Sequence, residues 1–495
     1  MSRPTVHRTD VELPPDGVRV VGRPHVPGDD ERNAGVVARV LRLAPEQVQA
    51  ELADVHARFA DRHRDLGRML DRNAERMDHL LEGVDVDRRR LVGAVFTQEH
   101  AFQAAALTNP SMVPAPDQAG VPDGACRFVL SLRAISEGHM SSIALRTGVV
   151  DATGGVALDP AGPLAETGER RPAVLERRHF ADKLHELGAD PVATARVMDG
   201  LPRHFGQSEL EQAIAVLEDQ PRAATHESSK LMRWLSTSNY LLTFDPETSL
   251  AERLLWPEGP FESRGMEDAR FVRFREDDGT WTYYATYTAY DGFEILPQLI
   301  ETHDFLTYEI STLSGAAAQN KGMALFPRTI GGSYVALSRP DRENIHLVRS
   351  ADVRHWDTHS VPLRRPQQAW ETIQLGNCGS PIETERGWLV ITHGVGPMRT
   401  YRLGALLLDL EDPERIVADL PYPVLEADAA ERNGYVPNVV YSCGAMRHGD
   451  VLVLPYGASD QRTRIATLSV SDLLEQLAAH PTADRPSRQR RSTDR

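Results

Sequence analysis

Four strand–turn–strand segments recur along the second half of the chain, and their spacing limits the possible folds more than any other feature. FVRFREDDGTWTYYATYTAY, ALFPRTIGGSYVALSRP, SPIETERGWLVITHG and VVYSCGAMRHGDVLVLPYG each set two apolar, β-rich runs around a turn. The turn glycines Gly279, Gly332, Gly387 and Gly449 lie 53, 55 and 62 residues apart. A hairpin recurring at such a period is the signature of β-propeller blades. CRFVLSLRAISEGHMSSIALRTG supplies a fifth pair of strands around Gly138. The pattern predicts a mainly β chain built as a five-bladed β-propeller. A sandwich would give the same strands without the period.

Two helical stretches interrupt this pattern. Residues 1–30 are rich in Pro, Gly and charge and read as an extended lead. Residues 31–106 read as an N-terminal helical region. Pro45 suits a first turn before EQVQAELADVHARF, and a third helix is expected through RRRLVGAVFTQEHAFQAAAL. Residues 107–475 form the expected propeller, with a helical insertion over 158–228. Within the insertion, Ser208 and Glu211 read as a capping box. Residues 476–495 end in a basic stretch that reads as a solvated tail. The amphipathic helices of the preface and insertion are expected to serve either self-association, as in a homo-oligomer, or cover over the axial funnel.

Composition narrows the function. Of 495 residues, 55 are Lys or Arg and 71 are Asp or Glu, a net charge of −16. Nucleic acids and anionic membranes need a basic face, so neither is the expected partner. No apolar run approaches the roughly 20 residues of a membrane span, and MSRPTVHRTDVELPPDG lacks the apolar centre of a signal peptide. Cys126, Cys378 and Cys443 are odd in number and widely spaced, which suits a reducing, cytoplasmic setting. No nucleotide-binding glycine motif or GxSxG elbow occurs. HELGA at His185 begins like a zinc motif, but Ala189 stands where the second histidine would be.

Each apolar strand run ends in a polar or reactive residue: Arg133, Tyr287, Arg339, His393 and Tyr456. In a propeller such ends converge near the axis, where a small polar ligand can bind. SRGMEDARF adds the acidic pair Glu267 and Asp268 at the start of a strand. Neighbours in an extended strand point to opposite sides, so the pair is expected not to share one site. Inverting cleavage of a glycosidic bond needs an acid for the leaving oxygen and a nucleophile on the opposite face. Water would require a second carboxylate as base, whereas phosphate requires cations and donors instead. Lys321, Arg339 and His393 favour the anion, although each could also be a surface lysine, an ion-pair partner and a core histidine.

GMEDARF, YATYTAYDG, NKGMALFP, ALSRP, SADVRHW, GWLVITHGVG, GALLLDLEDPERI, GYVPNVVYSCG and PYGASD stand in an order that resembles glycoside hydrolase family 130, the β-mannoside phosphorylases and some β-mannosidases. The resemblance covers about residues 105–470 apart from the insertion, and looks like a longer branch with a helical preface. It implies a five-bladed propeller and inverting phosphorolysis of a β-mannoside, 1,2- or 1,4-linked, to α-mannose 1-phosphate. Asp268 would be the general acid, acting through the 3-hydroxyl of the mannosyl unit. Lys321, Arg339 and His393 would hold phosphate. Asn109, Arg133, Ser142, Tyr287 and Asp460 would be candidates for the sugar hydroxyls. No metal or organic cofactor is implied, with inorganic phosphate as co-substrate. The chain departs from the pattern at Ala269, where Pro is common, and at Gly322, where many members carry Asp.

Two other functions fit the same pattern. A hydrolase on this fold would need a carboxylate base, for which Glu371, Glu383 and Asp460 are the places to look. A non-catalytic sugar-binding propeller would bind glycans without turnover.

Overall fold

The hairpin around Gly279 shows how the β repeat is made. Gly279 takes φ 88°, a left-handed conformation that glycine adopts freely, and the chain reverses there. Strands Gly265–Arg275 and Trp281–Tyr290 then pair antiparallel from Arg275↔Trp281 back to Gly265↔Tyr290. Both faces are buried. Phe271, Tyr283 and Ala285 pack on one side with Ile143 and Leu145. Val272, Phe274 and Tyr284 pack on the other with Leu325, Ala336 and Val348. A strand buried on both faces needs apolar residues at successive positions, which YYATYTAY supplies.

The computed structural model describes residues 3–219, 223–357 and 360–482. The chain is mainly β, with short antiparallel meanders in succession. Strand β1 (His7–Leu13) is followed after the helical preface by β2 (Ala106–Pro114), β3 (Cys126–Ile135) and β4 (Ser141–Val150), which pair in order. The second meander begins with β5 (Gly265–Arg275) and β6 (Trp281–Tyr290). The third is centred on β7 (Tyr334–Ser338) and the fourth on β8 (Gly387–Val395). The fifth holds β9 (Val451–Ala458) and β10 (Arg462–Ser469).

Apolar clusters join each meander to the next. Val335 and Leu337 of the third pack with Trp388 and Val390 of the fourth. Leu389 and Ile391 pack with Leu452 and Leu454 of the fifth. Val453 and Ile465 of the fifth pack with Leu130 and Leu132 of the first. The chain of clusters therefore returns to where it began.

The N-terminal lead is part of this arrangement. β1 pairs antiparallel with β10, through His7↔Thr467 and Leu13↔Thr463, so residues remote in sequence complete the fifth sheet. Arg8 donates to both carboxylate oxygens of Glu431, which is fully buried and also receives Arg464 and the Tyr456 hydroxyl.

In the preface, helices α1 (Asp30–Leu41), α2 (Pro45–Phe59), α3 (Leu66–Ala74) and α4 (Val86–Val95) pack around Val37, Val48, Leu91 and Val92. The expected third helix stops at Val95. Thr97–His100 instead forms a strand paired with Val21–Pro24, and Ala106 already lies in β2. The insertion contains α5 (Arg177–Glu186), α6 (Pro191–Asp199), α7 (Gln207–Glu218) and α8 (Ala223–Ser236), around a core of its own that includes Phe180, Leu184, Val197 and Leu210. Its helices thus extend to Ser236, beyond the expected 228. Ser208 does not cap α7: the Gly206 N–H donates to Glu209 at 3.1 Å, while Glu211 binds Arg233. Helix α9 (Val470–Ala478) packs Leu473, Leu474 and Leu477 into the core. The stretch 483–495 of the expected tail lies outside the described residues. Among the described residues, no helix is long and apolar enough to cross a membrane.

Candidate active site

The acidic pair departs from strand geometry. Glu267 faces Thr288 on β6, but Arg270 faces Thr286, so one extra residue is accommodated on β5. This is a β-bulge, and Asp268 within it takes φ 58°. The bulge overturns the expectation that Glu267 and Asp268 serve separate sites. Arg133 on β3 donates to Glu267 through Nη2, and its Nη1 stands 3.8 Å from Asp268. Its Nε donates to Ser141 at 2.9 Å. Lys321 donates to the other oxygen of Glu267, and the Asn109 amide donates to Asp268.

Three further residues of this region hold unusual backbone. Asn109, Asn320 and Asp460 take φ 47°, 61° and 50°. Asn and Asp tolerate the left-handed region better than other non-glycine residues, and such conformations cluster at functional sites. Arg270, itself buried, donates to the Asp268 carbonyl at 2.9 Å and to the Tyr441 hydroxyl at 2.7 Å. It thereby fixes the main chain of the bulge.

The two aspartates are driven in opposite directions. Burial pushes Asp268 up, but Arg133, Lys321, Arg270 and the Asn109 hydrogen bond outweigh it and hold its carboxyl below the ordinary value. Asp460 is raised by burial and by the charge of Asp268, against the pull of Arg133 and a bond from Thr108 at 3.4 Å.

A second cluster is cationic. Arg339 Nη1 lies 2.8 Å from His393 Nε2. Burial, then Arg339 and Arg270, push His393 well below its ordinary value, so the ring is neutral and Nε2 accepts. Gly376 makes room for the pair: a Cβ there would lie 2.5 Å from His393 Cε1 and 2.7 Å from Arg339 Nη1. Tyr441 meets the His393 ring at 4.8 Å in an edge geometry. Gly322, beside Lys321, sits against the Arg339 guanidinium, with its Cβ position 3.8 Å from Nε. The Asn377 amide holds the Gly322 carbonyl at 2.9 Å.

Asp268, Asn109, Arg133, Lys321, Arg339, His393 and Asp460 thus belong to one connected region. Three expected residues do not. The Tyr287 hydroxyl donates to buried Glu262 at 2.6 Å, and its ring belongs to the core with Phe261 and Phe271. Ser142 lies on the face of β4 opposite Ser141, the residue that meets Arg133, because successive strand residues alternate. Tyr456 likewise turns its hydroxyl to Glu431. Of the proposed bases, Glu371 is buried against Arg364 and Glu383 pairs with Arg328 at 3.0 Å, so only Asp460 stands beside Asp268. Arg270 and Tyr441 were not foreseen; the only local signal for Arg270 is its place two residues after Asp268.

A family model described as beta-1,4-mannooligosaccharide phosphorylase, of glycoside hydrolase family 130, matches residues 245–479. The 1,2-beta-oligomannan phosphorylase of Thermoanaerobacter sp. is 36% identical over 220 residues, which cover 43% of this chain and 71% of that protein. The beta-1,2-mannobiose phosphorylase of Listeria innocua is 33% identical over 231 residues, covering 45% of this chain and 63% of the relative. A solved Listeria innocua beta-1,2-mannobiose phosphorylase with bound beta-1,2-mannobiose aligns over 76% of this chain and 93% of its own, at 23% identity and a TM-score of 0.45. The chain belongs to glycoside hydrolase family 130.

Proposed function

We propose that this chain is a glycosyltransferase-type phosphorylase that cleaves a β-mannoside with inversion, giving α-mannose 1-phosphate. The observation that carries the reading is Arg339. Its guanidinium has no carboxylate partner among the described residues, its Nε is buried without a hydrogen bond, and it rests on a neutral histidine. The Gly322 departure bears on this. An aspartate there would bring a carboxylate toward Arg339, and φ 96° favours the glycine that stands there instead. A guanidinium left open in this way suits a phosphate, which it can bind bidentately.

Asp268 is the general acid in this reading, with Lys321, Arg339 and His393 on phosphate and Asn109, Arg133 and Asp460 toward the sugar. The acid must carry a proton, yet Asp268 is held ionised by its cations. A bound phosphate supplies negative charge beside Lys321 and Arg339 and raises the Asp268 pKa, so acid and nucleophile are readied together. The proton then passes through the mannosyl 3-hydroxyl to the leaving oxygen as phosphate attacks the anomeric carbon. The five-bladed propeller reading is supported by the successive meanders and by clusters that lead from the fifth sheet back to the first. The linkage is 1,2 or 1,4, since the relatives are named for the first and the family model for the second.

The test is turnover of 1,2- and 1,4-linked β-mannobiose with and without inorganic phosphate. The expected product is α-mannose 1-phosphate, formed only with phosphate. Free mannose released at a rate independent of phosphate would replace this reading with a hydrolase using Asp460 as base.

A further inference from the structure

We infer that helix α5 of the insertion positions the segment that carries Lys321, and that Glu186 is the residue through which it acts. The inference rests on the reading of Lys321 as a ligand of the phosphate. Glu186 belongs to the HELGA sequence, which has no use as a metal motif.

Residues 314–322 join the second meander to the third, between strands Thr307–Thr312 and Ala324–Leu325. On one side the segment lies on the turn at Trp356. The Trp356 N–H donates to the Ser314 carbonyl at 2.8 Å, and the Ala317 N–H donates to the Trp356 carbonyl at 2.9 Å. Gly315 takes φ 101°, and a Cβ there would lie 2.3 Å from the Trp356 carbonyl carbon. The main chain is therefore pressed against Trp356, and the Gly315 N–H is directed to the insertion, where Glu186 accepts it.

Glu186 is itself held. Its second oxygen accepts from Lys183 at 2.9 Å, and Lys183 is only 6% exposed. Helix α5 makes another contact with the same turn. His179 lies 2.9 Å from Asp352 and stacks on His355, whose Nδ1 lies 2.8 Å from the Ser314 hydroxyl. A cavity of about 190 Å³, lined in part by His179, Phe180, Lys183 and Thr312, lies alongside. Close packing is thus incomplete here, and directed hydrogen bonds set the position of the segment.

The far end of the segment delivers the cation. Asn320 is tied to the Pro340 carbonyl and to Arg342, and Lys321 reaches Glu267. Lys321 lies six positions after Gly315, so release at Gly315 loosens the approach of Lys321 to the acidic pair.

The experiment compares E186A and E186Q in the full chain. It reads KM for inorganic phosphate, kcat, and amide exchange over 314–322. Glutamine keeps an acceptor for the Gly315 N–H and alanine does not. E186A is expected to raise the phosphate KM about three- to tenfold, with a smaller change in kcat at saturating phosphate and faster exchange over 314–322. E186Q stays within about twofold of wild type on the same scale. R233A, which removes ion pairs to Glu211 and Glu218 inside the insertion, leaves these readouts unchanged. Wild-type phosphate KM and wild-type exchange in E186A would overturn the inference. Should E186A fail to fold, E186D, one methylene shorter and so withdrawn from the Gly315 N–H, is expected to move the same readouts in the same direction, and no movement would overturn the inference. If the wild-type chain shows no phosphate dependence, the functional reading fails and exchange over 314–322 alone decides the role of Glu186.

Discussion

Arg133 holds both members of the acidic pair, donating to Glu267 through one terminal nitrogen while the other stands 3.8 Å from Asp268. A single guanidinium can do this because the bulge turns adjacent carboxylates to the same side. Arg133 is also the largest cationic influence that keeps Asp268 ionised. In Arg133→Met that influence is lost and the Asp268 pKa rises. The pH profile of kcat/KM reports free-enzyme ionisations. Its Asp268 limb should move to higher pH in the variant, and an unmoved limb contradicts the assignment.

Binding of an anion should draw protons into the site. Asp268 and His393 both lie below their ordinary values in the free protein. Negative charge beside them raises both. Sulfate is the cleaner probe, since it does not titrate near neutrality as phosphate does. Calorimetric titration with sulfate at pH 7, in buffers of different ionisation enthalpy, should show net proton uptake. Net release would count against the arrangement of charges described above.

Gly376→Ala tests the cationic cluster by steric means. The new methyl group would lie 2.5 Å from His393 and 2.7 Å from Arg339, so one or both must move. Overpacking of this kind costs about 1–3 kcal/mol in stability. Affinity for phosphate should fall about tenfold or more, as expected for loss of a hydrogen bond to a charged group. Unchanged affinity in a folded variant would remove Arg339 and His393 from the anion site.

Arg8 ties the first strand to the last sheet. Glu431 retains Arg464 and Tyr456 when Arg8 is lost, so the charge is not abandoned. Arg8→Ala is expected to destabilise by about 1–3 kcal/mol, read from denaturant midpoints. The Ser459 hydroxyl donates to the Glu431 carbonyl, next to Asp460, so the effect reaches the site. A loss below about 0.5 kcal/mol would place Arg8 with ordinary surface residues.

The parts legible in the sequence are those that local chemistry dictates. Gly279, Gly332, Gly387 and Gly449 all take positive φ, and that requirement at each hairpin is what made the repeat visible. The motif around Asp268 was legible for the same reason, as a short run of reactive residues beside a glycine. Long-range pairing was not. Nothing local in HRTDVEL shows that it will join a strand 450 to 460 residues away. The bulge at Asp268 was hidden because it depends on register with β6, and strand alternation therefore misplaced Glu267. Tyr287 and Tyr456 sit at the ends of apolar runs, but buried Glu262 and Glu431 take their hydroxyls.

The central claim is that Asp268 supplies the proton while a separate cationic cluster supplies the nucleophile. Asp268→Asn in the phosphorolysis assay tests it most directly, with phosphate affinity measured on the same protein. Turnover should fall about 10²–10⁴-fold, the usual share of general acid catalysis, while phosphate still binds. A folded Asp268→Asn variant that turns over at the wild-type rate would contradict the account.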